Sequence, residues 1–388
     1  MVFIKPAGAV MTNKTFTPLN YLFFILIILT SNLAAAYAAE YYVDGNSGND
    51  ELNNGSLDSP WKTITHAIGQ ATATDVIHIE YSDTPYMESI KLVSAPGISL
   101  IGMAQDGNRP IIESADEGVH TISLVNFSGT LQGLDITGAV NANGINCTAS
   151  PGGVNNARII DCRIHGNKFG VHVTTADNTG TSTPFVSRNI IDANSFCGIG
   201  NMQYSSASID NNQIYENGNI APPGGGICIS QYSSPSIKNN IIRHNITAGI
   251  RINDWAVATI DGNQIYENGA GNLSDAGICI SGQASPFIIN NIIRHNDSSG
   301  INISNSANPE ILNNTIAHHT NDGFPGTAIR VNQNEGISTL VVLNNIIAYN
   351  DIGLFSQSAT ACSSNDYNDL WQNGSNYSGF VNGANEIY

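Results

Sequence analysis

The stretch DNNQIYENG at 210–218 returns almost letter for letter as DGNQIYENG at 261–269, 51 positions further on. The repetition includes polar letters, so it is not a pattern of apolar spacing alone. Across the second half of the chain the pattern Asn-x-Ile-x-x-Asn recurs, each time followed by a Gly-Ile-x-Ile-like segment. It begins at Asn189, Asn212, Asn240, Asn263, Asn291, Asn314 and Asn345, with Leu134 and Cys162 in the same place in degenerate earlier copies. From Asn189 a unit of 23 residues alternates with a longer one, so the full period is a pair of units.

Segments such as GICIS (226–230), GIRIN (249–253) and GINIS (300–304) alternate with a period of two, which predicts strands, and no unit has room for an ordinary helix. Units of this size cannot bury an apolar face alone and must stack on their neighbours. Inward Ile and laddered Asn predict a parallel β-helix, with equivalent residues aligned in columns ~4.8 Å apart.

These repeats resemble the right-handed parallel β-helix superfamily, whose members include pectate-lyase-like, alginate-epimerase-like and NosD-like proteins. The resemblance covers roughly residues 41–380 and implies an all-β, single-stranded solenoid of about ten or eleven coils with a short N-terminal capping helix. The expected boundaries are a signal peptide at 1–38, an N-terminal segment with the capping helix at 39–72, the β-helix at 73–360 and a C-terminal segment at 361–388. Ser59 is the expected helix cap, Pro60 its first turn, and Ile64, Ala67 and Ile68 its apolar face.

Lys5 and Lys14, the apolar run YLFFILIILT (21–30) and Ala36-Tyr37-Ala38 read as a secretory signal cleaved near Ala38, too short in its apolar core to anchor. The expected product is secreted or held at the cell surface, without membrane insertion, and monomeric. Cleavage removes two lysines and takes the formal charge from −17 to −19, which repels nucleic acid and anionic lipid. The six cysteines include no CxxC pair, and Cys228 and Cys279 stand two coils apart in one column. That separation of ~9–10 Å exceeds disulfide reach, so free thiols are expected.

Fold leaves function open, because this scaffold carries enzymes and pure binders alike. Polygalacturonase-like GHG, methylesterase-like GxxDFIFG, epimerase-like YG(F/I)DPH and lyase-like RxPxxR elements are all missing. Most residues that stand out are repeated: Tyr215, Arg243, Tyr266 and Arg294 in one column, and Glu216, His244, Glu267, His295 and His318 beside it. Glu267, His295 and His318 suit a metal. A copied surface ladder is the preferred reading, and no metal site is predicted.

Two clusters are singular. Tyr204, Tyr232 and Trp255 hold one position on three successive coils, where Gln283 and Ser306 follow. Aromatic rings at coil spacing offer a stacking surface for an extended glycan, with Arg251 and Asp254 as polar neighbours. The segment RIIDCRIHGNKFGVHV (158–173) gathers positive charge. If the resemblance extends to lyase chemistry, Lys168 or Arg163 is the base and His165 with Asp192 orients substrate. Calcium is then the cofactor to consider, although no carboxylate cage accompanies the cluster. The leading expectation is a polysaccharide binder; a polysaccharide lyase or glycoside hydrolase and a structural spacer are the alternatives. Inserts at 218–225, 269–276 and 320–327 are expected to wall a groove, and Asn245-Ile246-Thr247 is a candidate glycosylation site.

Overall fold

A computed structural model describes residues 38–387 except 95–96, 220–223, 270–274, 321–324, 333–339, 358–363 and 381–382. The expected signal segment, most of the three inserts and Cys362 therefore lie outside the described residues.

Each coil contributes one short strand to each of three parallel sheets of 13, 12 and 12 strands. In one representative coil the strands are Phe185–Ser187 on face 1, Ile190–Asp192 on face 2 and Cys197–Asn201 on face 3. Pairing is in register between successive coils; Ile191, for example, sits on Ile164 and beneath Ile214. The result is the right-handed β-helix that the repeat predicts. Inward Ile, Leu and Val form one continuous core along the axis.

Two buried asparagine ladders hold the corners. Between faces 1 and 2, the Asn212 side-chain carbonyl accepts from the Asn189 backbone N–H and amide, both at 3.0 Å. Asn212 in turn donates to Asn240, and the chain of bonds continues through Asn263, Asn291, Asn314, Asn345 and Asn368. A second ladder between faces 2 and 3 runs through Asn167, Asn194, Asn217, Asn245, Asn268 and Asn296. The residue preceding each rung of these ladders has positive φ in most coils, among them Asn211, Glu216, Asn239 and His244. One left-handed residue turns the chain sharply, and the buried amide satisfies the backbone groups that the turn leaves without partners. Asn245 is fully buried with its amide committed to Asn268, so the folded chain offers no glycosylation acceptor there.

His319 occupies an asparagine position in the second ladder. Its backbone N–H and Nδ1 both lie within 3.0 Å of Asn350 Oδ1, and Nε2 lies 3.4 Å from the Asn296 amide. An Nδ1–H donor and an Nε2 acceptor fit this arrangement, which requires a neutral ring.

The N-terminal end is closed by a seven-residue helix, Ile64–Gln70. Its N-cap is Thr63, whose hydroxyl accepts from the His66 N–H, rather than the expected Ser59. Ser59 instead closes a tight turn with Ser56, and Trp61 continues extended to bridge Val43 so that its indole is buried. Glu88 accepts from the Ile64 and Thr65 N–H groups, placing an anion at the positive helix end. Ile64 and Ala67 are buried and Ile68 packs on the core, as the sequence pattern expects.

Two outcomes test the ladders. Asn240→Ala leaves buried donors on Asn212 without an acceptor and should cost roughly 2–5 kcal/mol in urea unfolding, whereas Gln264→Ala on the exposed side of face 2 should stay within about 0.5 kcal/mol. Burial, reinforced by the nearby His295 and His318, pushes the His319 pKa from 6.5 down to about 4. The unfolded chain therefore takes a proton that the folded chain refuses, and stability falls as pH drops from 6.5 towards 4. His319→Asn should restore the ladder and make the unfolding midpoint less dependent on pH in that window.

Candidate functional site

Tyr204, Tyr232 and Trp255 stand at the corner between faces 3 and 1. Each is the second of two consecutive residues with positive φ: Gln203 and Tyr204 at 51° and 60°, Gln231 and Tyr232 at 57° and 62°, Asp254 and Trp255 at 52° and 63°. Two left-handed residues in succession make a primed turn, a conformation that normally selects Asn and Gly. Successive turns are tied by the Tyr204 N–H to the Gln231 carbonyl at 3.0 Å and the Tyr232 N–H to the Asp254 carbonyl at 3.1 Å. Buried Ser205 and Ser233 donate back to the Met202 and Ser230 carbonyls beneath them.

The three side chains project away from the core and remain 47%, 52% and 51% exposed. The Tyr204 and Tyr232 rings lie 5.3 Å apart and 4° from parallel, and those of Tyr232 and Trp255 lie 6.1 Å apart and 9° from parallel. Each ring thus covers part of the next. The following coil carries Gln283 in this column, so the aromatic stack ends at Trp255. The strip is therefore a stack of near-parallel rings rather than a flat platform. Asp254 is exposed in the same turn as Trp255. Arg251 does not join it: its side chain is largely covered on face 3, with Nη2 3.9 Å from Asp275.

The basic cluster is arranged differently from the sequence expectation. His165 and Asp192 are strand neighbours, yet His165 Nε2 pairs with Asp135 at 2.9 Å and Asp192 takes a two-point ion pair from Arg163 at 3.2 and 3.0 Å. Hydrogen bonding to Asp192 raises the Arg163 pKa further, which disqualifies that guanidinium as a base. Lys168 is exposed. Burial pushes His172 down to about 4, and its ring contacts Asn146 Oδ1 at 3.1 Å.

On face 2 the repeated column forms cation–π contacts, with the Arg243 guanidinium 4.5 Å from the Tyr215 ring and that of Arg294 4.4 Å from the Tyr266 ring. His244 pairs with Glu267 at 3.0 Å, while His295 and His318 stack on each other. No group of three metal donors forms among the described residues.

The cysteine expectation is corrected at two positions, Cys197 and Cys228. Cys228 is bonded to Cys197 on the preceding coil, with Cα atoms 6.3 Å apart. Comparing cysteines only within one column overlooked this partner. Cys147 and Cys162 are buried free thiols and Cys279 is a buried thiol, with burial pushing the three up to about 12, 12 and 11.

The chain matches the family described as right handed beta helix region over residues 105–273 and 225–388, and it belongs to that family. No curated protein matches its sequence. Among solved structures, it resembles the A-module of the Azotobacter vinelandii mannuronan C-5 epimerase AlgE6 with a TM-score of 0.62 at 17% identity, covering 89% of this chain and 94% of the other. The AlgE4 A-module from the same organism gives 0.60 at 16% identity, covering 89% and 100%. XylC in complex with xylose gives 0.55 at 13% identity, covering 79% and 75%. At such identities the likeness is one of fold.

The cysteine assignment has a direct check. In native protein at pH 8, maleimide should leave Cys147, Cys162 and Cys279 unlabelled, and unfolding without reductant should expose them. Cys197 and Cys228 should label only after reduction, as read by peptide mass spectrometry.

Proposed function

We propose that this is an exported β-helix protein that binds extended polysaccharide at the cell surface or outside the cell. The observation that carries the reading is the Tyr204–Tyr232–Trp255 stack, three half-exposed rings held in a backbone conformation that bulky residues rarely adopt. A purely structural corner needs no such residues, since the equivalent turn is also made by Asn305 and Ser306 with φ of 50° and 65°. Aromatic faces pack against the C–H faces of sugar rings, and the exposed Asp254 beside the half-exposed indole adds a hydrogen-bond acceptor.

The fold is shared with modules named as mannuronan epimerases and with a protein solved in complex with xylose, which supports a carbohydrate ligand. The Cys197–Cys228 bond supports an oxidising compartment, in keeping with the sequence signal for export. Catalysis at the 158–192 cluster has less support, because Arg163 is committed to Asp192 and His165 to Asp135.

The test is retention of the chain on a panel of immobilised neutral and acidic polysaccharides. The double change Tyr232→Gly and Trp255→Gly removes both rings while suiting the positive φ, so the fold should be untouched. At least one polymer should retain the parent chain about tenfold more strongly than the double variant. Equal retention, or none on any polymer, would overturn the assignment.

A further inference from the structure

At the N-terminal end of the solenoid the chain builds a concavity that the repeat pattern does not require. Residues 40–43 form the first strand of face 1 and pair in register with 76–79 of the second. The other edge of that first strand is taken by the segment 55–61. The Tyr42 N–H donates to the Gly55 carbonyl at 2.8 Å, and the Trp61 N–H donates to the Tyr42 carbonyl at 2.9 Å. Trp61 is buried and Gly55 lies against its ring, so this segment is a fixed wall at the end of the sheet.

The wall and the end of face 1 enclose a cavity of about 380 Å³. That volume suits a small organic molecule and is many times that of a single ion. Tyr42, Tyr81 and Leu57 line it together with three acids, Asp44, Asp58 and Glu80, and no lysine, arginine or histidine belongs to the lining.

The acids stand in two places. Asp44 directly follows the strand 40–43 and Glu80 ends the strand Val76–Glu80, so register sets them on neighbouring coils. Asp44 accepts from the Asn46 N–H at 2.8 Å and from the Ser47 hydroxyl, which fixes its carboxylate. Burial raises the Glu80 pKa, the Asp44 charge raises it further, and His78 opposes them. A cation placed between the two carboxylates would relieve that repulsion. Asp58 is apart from this pair, at the tip of the turn in which the Ser59 N–H donates to the Ser56 carbonyl at 3.0 Å, and it is not among the charges acting on Glu80.

This layout discriminates between ligands. A bare metal ion needs converging donors, and no group of three forms among the described residues. An anion would be repelled, and a neutral molecule would leave the Asp44–Glu80 repulsion in place. Two anionic places in one cavity that also holds tyrosine and leucine side chains match an apolar chain with an ammonium group at each end.

We propose that this cavity binds a small aliphatic diamine, with one ammonium between Asp44 and Glu80 and the other at Asp58. The methylene chain would lie along Leu57 and the two tyrosines. The site is at the first coils of face 1, and it does not depend on the Tyr232–Trp255 turn.

Calorimetric titration of the full chain with putrescine and cadaverine at ~0.15 M salt tests the proposal under conditions that screen diffuse attraction to an acidic protein. At least one diamine should saturate a single site, and butylamine, with one ammonium, should bind about tenfold more weakly or less. Glu80→Gln and Asp58→Asn should each weaken the diamine about tenfold, with their unfolding midpoints measured to confirm the fold. Glu216→Gln, which removes one exposed charge from the corner of face 2, should leave affinity unchanged. The Tyr232→Gly and Trp255→Gly chain should bind as the parent does. Absence of saturable binding by both diamines, equal affinity for butylamine, equal weakening by Glu216→Gln, or calcium competing at the same concentration as the diamine would overturn the proposal.

Discussion

The buried asparagine amide is the interaction on which the rest of this molecule depends. A coil that turns sharply must leave backbone groups facing the interior, where an unmade hydrogen bond is costly. Each ladder asparagine meets that need twice over. Asn263, for instance, accepts from Asn240 on the preceding coil while its amide donates to the Ile237 carbonyl and to Asn291 on the following one. A strand that slipped by one residue would lose these bonds and turn its inward Ile to solvent, so the amides fix register as well as closure. Once register is fixed at the corners, every outward position becomes a member of a column, and any surface property of the molecule is a property of columns.

That explains why repeated residues and functional residues must be judged differently. The Tyr215–Arg243 and Tyr266–Arg294 contacts recur with the two-coil period because they were copied with their units. Specific chemistry arises where a column changes character. The corner stack, which ends between Trp255 and Gln283, is such a place.

The architecture was legible in the sequence because its determinant is a short-period pattern. Asn positions and Ile alternation gave both the fold and the column partners of Tyr204, Tyr232 and Trp255. Side-chain choices were less legible. Register makes His165 a neighbour of Asp192, but Asp192 takes the Arg163 fork and His165 reaches diagonally to Asp135. The Cys197 partner of Cys228 was missed because it lies outside the column, and Thr63 displaced Ser59 as helix cap because Trp61 is drawn into the core as part of an extended segment.

The near-identical stretches 210–218 and 261–269 also bear on how such a molecule changes length over generations. Asn212 and Asn263 present the same amide to the coil above and the coil below, so a unit pair spliced in or out by recombination would meet surfaces it already fits. Extension would require no new interface to evolve. The number of coils is therefore open to selection independently of the fold, and with it the length of surface available to a long ligand.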